Sequence, residues 1–377
     1  MNKSPLRLAF IGGGHNSAVG NCHRIALAMD QKFKLVAGCF SRNKKENAKS
    51  GVIYGVDASR VYNEIHDLIK NEKNGIDCIA VLTPQPNHYK HILECLLARI
   101  PTICEKSLVA STSEAKKVIK LLKRKKGFLT VINNYTGYPM IREARSIIER
   151  ESIGKVQKIQ FEMPQEGFSR TNLKGKPYLP QKWRLKDNKV PTISLDLGIH
   201  LIMISSYIIH NSPQKVVAFL NSNGNFKEII DNVSCIIKFN NGVCGNFWFS
   251  KSAVGYRNGL KLRIFCRKGS LEWLQEDPEH LKLSDAFGNI KILDRGYPDL
   301  NIAKMERYNR FKAGHPAGFI EAFANNYSDI ASDLRIYIEK HKKKVPYIKS
   351  AISALDGLKF LEAVSRSSKT NKWVSVK

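Results

Sequence analysis

The chain has 377 residues, more than one hydrophobic core usually spans, so two domains are expected. Its 43% apolar and 25% charged residues suit a globular protein, and no run reaches the roughly 18 consecutive apolar residues of a membrane span. The net charge of +28 attracts anions of any size, from a phosphate-bearing cofactor to nucleic acid.

The opening "MNKSPLRLAFIGGGHN" resembles a secretory leader only superficially. Its apolar run, Leu6 to Ile11, is short and contains Arg7, so a buried strand and a cytoplasmic protein are expected. The eight cysteines form no Cys-x-x-Cys and no Cys/His cluster with zinc spacing, so buried reduced thiols and no metal are expected.

From Leu6 onward, β-branched runs alternate with helical patterns. The strands are "LRLAFIG" (6–12), "FKLVAGCF" (33–40), "DCIAVLT" (77–83), "IPTICEK" (100–106) and "GFLTVINN" (127–134). Such alternation implies a parallel sheet covered on both faces, with ligands at the carboxyl ends of its strands. The first strand runs into "GGGHNSAVGNCHR". Gly12 and Gly14 fit the first two positions of a dinucleotide fingerprint, with Asn16 and Ser17 following. Ser17 stands where a third glycine belongs, unless a longer loop brings Gly20 into that role.

An acidic residue ending the second strand would signal NAD. Here "CFSRNKK" has no carboxylate before Glu46. Ser41 and Arg42, with Lys44 or Lys45, suit a 2′-phosphate, which favours NADP(H) slightly; the alternative is that Ser41 caps a helix and Arg42 is solvated. After the third strand, Thr83 and Pro84 open a loop at the strand's carboxyl end, and Asn87 or His88 begins a helix. "CEKSL" puts Glu105 and Lys106 at the same sheet edge, where a nicotinamide would lie; the alternative is a solvent-exposed Glu–Lys pair with no chemical role.

The basic run "KKVIKLLKRKK" (116–126) is a helix with Val118, Ile119, Leu121 and Leu122 facing inward. Neither it nor "HKKK" (341–344) is interleaved with aromatics, so solvated faces are expected, with neither nucleic acid nor a membrane as partner. Beyond Tyr135 the runs 155–163, 214–223, 232–250, 259–275 and 288–294 are strands, with "NNG" (240–242) a hairpin turn.

Together "IGGGHNSAVGNCHRIA", "VLTPQPNHY", "CEKS", "SLDLGIH", "GHPAGFIEAFANNY" and "SALDGLKFLEAVSRSSKTNKWV" resemble, in order and spacing, the Gfo/Idh/MocA oxidoreductases. The resemblance implies an α/β chain. A Rossmann domain spans 1–134, and a substrate-binding and oligomerisation domain with a large, mostly antiparallel open sheet spans 135–377. The segment from about 350 is expected to pack back near the first domain. It also implies a homodimer or homotetramer.

The same resemblance places catalysis on Lys106, Asp196 and His200. In "SLDLGIHLIM" a carboxylate and an imidazole lie four apart in an apolar run, so on a helix they share a face. His200 would take the hydroxyl proton and Lys106 would stabilise the oxygen. Asp196 would orient His200 or bind a neighbouring hydroxyl. The alternative is a helix-capping Asp196 or Ser194 and a core histidine. Tyr135 and Tyr138 are expected to line the cleft, Trp183 and Arg184 to cover the substrate, Arg184 to bind an acidic group, and His315 to reach the pocket. Three departures stand out: Ser107 for the family's proline, "NKVPTIS" for a glycine-rich stretch, and Met203 for an aspartate. The expected activity is NAD(P)-dependent oxidation of a CH–OH group on a sugar, sugar derivative or inositol. The rivals are NAD-assisted glycoside cleavage and a silent nucleotide-binding sensor.

Overall fold

The structure, a computed structural model, describes residues 4–340, 347 and 350–377; the 341–344 lysine run lies outside them. In chain order the main elements begin with β1 (Leu6–Gly12), α1 (Gly20–Met29), β2 (Phe33–Cys39), α2 (Lys44–Tyr54), α3 (Ile65–Glu72), β3 (Cys78–Leu82), α4 (His88–Leu97), β4 (Thr102–Cys104), α5 (Thr112–Lys125) and β5 (Leu129–Val131). They continue with α6 (Pro139–Glu149), β6 (Val156–Pro164), α7 (Ile199–Ile208), β7 (Pro213–Asn221), β8 (Asn232–Phe239), β9 (Cys244–Ser250), β10 (Lys261–Cys266) and β11 (Gly269–Leu274). The last are β12 (Asp277–Asp285), β13 (Ile290–Leu293), α8 (Phe319–Ile338), α9 (Ala351–Thr370) and β14 (Val374–Ser375).

The chain forms two compact units, 1–137 with 319–355, and 138–318 with 356–377. The returning segment of the first unit is thus 319–355, where 350–377 was expected. The reason is α8, whose Phe323, Tyr327, Ile330 and Leu334 enter the first unit's core with Leu8, Phe10 and Phe33.

In that unit five parallel strands run in the order β2-β1-β3-β4-β5. β3 is buried along its whole length, as a strand covered on both faces must be. The chain steps from β1 to β2 on one side and to β3 on the other, so the order reverses between β1 and β3, where such sheets bind ligands. The lysine-rich α5 buries Ala115, Val118, Ile119 and Leu121, and Ser111 caps it by accepting from Glu114 N at 3.3 Å.

The second unit is a nine-stranded sheet ordered β13-β12-β11-β10-β6-β9-β8-β7-β14. All its pairs are antiparallel except β6 with β9. The run 232–250 is a hairpin, with Gly242 at φ +84° in the expected turn. The run 259–275 is also a hairpin, turning at Arg267–Lys268 between the paired Cys266 and Gly269. β12, which carries Pro278 and four charges, was missed because pairing with β11 and β13 creates it rather than an apolar pattern.

Candidate active site

The turn after β1 is built for close approach. Gly12 and Gly13 have φ of +77° and +69°, and a Cβ on Gly12 would lie 2.8 Å from Thr83. Ser17 accepts from Gly20 N at 2.7 Å and so closes the loop. A Cβ on Gly20 would stand 2.1 Å from Gly13 O, so Gly20 fills the packing role of the third glycine and Ser17 does not. The start of α1 carries no side-chain cap and no acidic residue in its first turn, which leaves its positive end open to an anion.

At the end of β2 the α2 cap is Asn43, whose side chain accepts from Lys45 N and Glu46 N. Ser41 instead accepts from Asn43 N at 3.2 Å, and Arg42 is exposed. Glu46 reaches the glycine turn, accepting from Asn16 Nδ2 at 3.1 Å with His15 Nε2 at 3.5 Å.

A single 3₁₀ turn (Gln85–Asn87) follows Pro84, and α4 starts at His88. His88 was expected beside a cofactor but is buried, its Nδ1 2.8 Å from Ser107 O and its Nε2 2.8 Å from Thr83 O. It ties the ends of β3 and β4 together. Burial pushes its pKa down while the two carbonyl acceptors pull it up.

Glu105 also faces inward. Its Oε1 lies 3.0 Å from His23 Nε2, its Oε2 accepts from Lys106 N at 3.0 Å, and His23 Nδ1 lies 2.8 Å from Tyr327 OH. A buried chain of polar groups therefore ends on the backbone of the half-buried Lys106. The Lys106–Ser107 peptide is cis. Around these strand ends Thr83 Oγ1, Ser107 Oγ and both side-chain polar atoms of Asn133 are buried without a partner among the described residues. Unpaired polar atoms beside a glycine turn that admits a phosphate fit a dinucleotide.

In the second unit, Ser194–Gly198 is a turn of π-helix that runs directly into α7. The expected single α-helix is thus wound wider at Asp196, a form frequent at functional sites. Asp196 and His200 are 9% and 5% exposed, so this polar pair lies in a nearly dry segment. Asp196 is not a cap. Its Oδ2 accepts from Arg184 Nη1 and lies 2.8 Å from Lys251 Nζ. Arg184 therefore binds an acidic group of its own chain. Lys251 was missed; its signal is a cation directly after the apolar strand "GNFWFS". Gly198 admits Phe249, whose Cζ would lie 2.7 Å from an added Cβ.

The remaining candidates are packed or peripheral. Tyr135 is buried 6.2 Å from the ring of Phe319. Tyr138 is wholly buried against Trp273 and accepts from Gln275 Nε2 at 3.3 Å, so it belongs to the core and not a cleft. Trp183 lies under the Arg184 guanidinium at 4.4 Å. His315 is on an exposed loop, its ring 4.6 Å from Phe311.

Residues 6–133 match the model of an oxidoreductase family with an NAD-binding Rossmann fold, and residues 141–272 match a GFO/IDH/MocA C-terminal domain. An uncharacterized oxidoreductase of Bacillus subtilis is 28% identical over 387 residues, covering 99% of this chain and 97% of its own. A crystal structure of an inositol dehydrogenase homolog from Azotobacter vinelandii, complexed with NADH and myo-inositol, superposes with a TM-score of 0.90 at 26% identity. That match covers 99% of this chain and 98% of the homolog. An oxidoreductase from Sinorhizobium meliloti superposes at 0.85 with 32% identity, covering 99% of this chain and all of the other.

Proposed function

Because the chain belongs to the GFO/IDH/MocA family of oxidoreductases, with an NAD-binding Rossmann domain, we propose that it oxidises a secondary alcohol of a sugar, sugar derivative or inositol. The observation that carries this is the buried Asp196–His200 pair on the π-to-α segment, with Asp196 held by two cations. The myo-inositol bound by the Azotobacter homolog supports a polyhydroxylated substrate.

His200 takes the proton of the reacting hydroxyl. Lys106, its backbone held by Glu105, donates a hydrogen bond to the same oxygen and stabilises its developing charge. Asp196, held by Arg184 and Lys251, accepts from a neighbouring hydroxyl. The nicotinamide supplies the hydride acceptor at its C4. A dehydrogenase screen over sugars, inositols and sugar acids with both cofactors tests the reading. Lys106→Ala and His200→Ala should each lower kcat by about 10²–10⁴-fold while cofactor binding is kept. Cofactor binding by the wild type without turnover of any of these substrates would favour a sensor.

For the cofactor, Ser41 and Arg42 favour a 2′-phosphate, so Arg42→Ala should cost NADP binding about tenfold and leave NAD unchanged. If it does not, Glu46 beside Asn16 is the residue that reads a free ribose and selects NAD. Eight free cysteines, six of them buried, support a cytoplasmic location. No helix among the described residues is long and apolar enough to cross a membrane. A second copy of the chain is the proposed partner of the open sheet face.

A further inference from the structure

The ends of β3, β4 and β5 leave one side chain with a two-sided demand. Asn133 is 1% exposed, yet neither its Oδ1 nor its Nδ2 has a partner among the described residues. Its backbone carbonyl is engaged, accepting from Thr136 N at 3.1 Å and Thr136 Oγ1 at 2.8 Å, so the residue is anchored while its amide stays open. Cys104 pairs with Val131, and Ile132 N donates to Cys104 O at 2.9 Å. Asn133 lies two residues past the end of β5, as Lys106 lies two past the end of β4. Thr83 Oγ1 and Ser107 Oγ, at the ends of the two preceding strands, are unpaired as well.

Leaving a buried donor and acceptor unmade destabilises the fold, so natural chains rarely keep such a residue without a partner for it. The ligand that answers both atoms offers one acceptor and one donor side by side, as a primary carboxamide does. We propose that Asn133 pairs with the carboxamide of the nicotinamide ring and thereby sets which face of the ring meets the substrate. The inference rests on the cofactor reading above. It makes Asn133 a binding residue, with Thr83 and Ser107 as further polar neighbours.

The test compares NAD+ with ADP-ribose, which lacks the nicotinamide, by calorimetry on the full chain. Asn133→Ala and Asn133→Leu should weaken NAD+ about tenfold or more and leave ADP-ribose within about twofold. The leucine variant should melt no lower than the wild type when cofactor-free, because it removes an unpaired amide. The wild type should also bind 3-acetylpyridine adenine dinucleotide, which has the carbonyl but no amide nitrogen, several-fold more weakly than NAD+. Asn133→Ala should erase that difference. Unchanged NAD+ affinity, or equal loss of ADP-ribose, overturns the proposal. If the variants fail to fold, an acetylpyridine analogue that binds the wild type as tightly as NAD+ overturns it alone. A wild type that binds neither NAD+ nor NADP+ overturns the cofactor reading itself.

Discussion

Tyr327 is fully buried and lies near Glu105, and both effects, burial first, push its hydroxyl pKa far above the usual range. It therefore keeps its proton, 2.8 Å from His23 Nδ1, and His23 Nε2 is placed 3.0 Å from Glu105 Oε1 to donate to it. His23→Leu removes that donor from a buried carboxylate and should cost about 2–3 kcal/mol in urea unfolding. His23→Gln, which restores an N–H, should recover part of it. The thiols differ as sharply. Burial pushes Cys95 and Cys235 up to about 12, Cys39 and Cys266 to about 11, and Cys22, aided by Glu105, to about 12. Cys244 alone is exposed, contrary to the expectation of uniformly buried thiols, so a thiol reagent at pH 8 should label it first in the native protein and spare it in Cys244→Ser.

Two elements owe their shape to single glycines. Gly20→Ala would drive a Cβ into Gly13 O and open the turn, so it should weaken dinucleotide binding by about tenfold or more, read by titration. Gly198→Ala would press on Phe249 and Leu361 and should destabilise the second unit by about 1–3 kcal/mol, seen as a lower urea midpoint. At this scale the alternating β-strands and helices of the first unit were legible, because β1, β3 and their neighbours are continuous apolar runs bounded by polar helices. The π-turn at Asp196 was not, since i to i+5 bonding leaves no mark on residue order. The hairpin within 259–275 was hidden for a similar reason: its two-residue turn carries Arg267 and Lys268 in place of turn-forming residues.

For the whole molecule, the nine-stranded sheet matters most. Its outer face shows Phe219 at 63% and Ile236 at 43% exposure, and these two with Val217 and Trp248 line a hollow of about 550 Å³. Apolar residues this exposed on a broad sheet are what the proposed second copy would cover. If a second copy covers them, as proposed, Phe219→Lys should shift the protein toward monomer in sedimentation velocity, with its melting point changed by only a few degrees. The excess of positive charge belongs to this scale too, since it is spread over faces such as α5, whose lysines surround a buried apolar stripe.

Residue order alone determined the doubly covered parallel sheet, the glycine turn and the family, because period and spacing survive in one dimension. The family resemblance in turn proposed Lys106, Asp196 and His200 as a catalytic set. Only the tertiary structure decided that His88 and Glu105 turn inward, that Asp196 is held by Arg184 and Lys251, and that Asn133 is left with an open amide. Those outcomes depend on which distant groups satisfy each buried donor and acceptor, and that pairing is settled only when the chain has closed on itself.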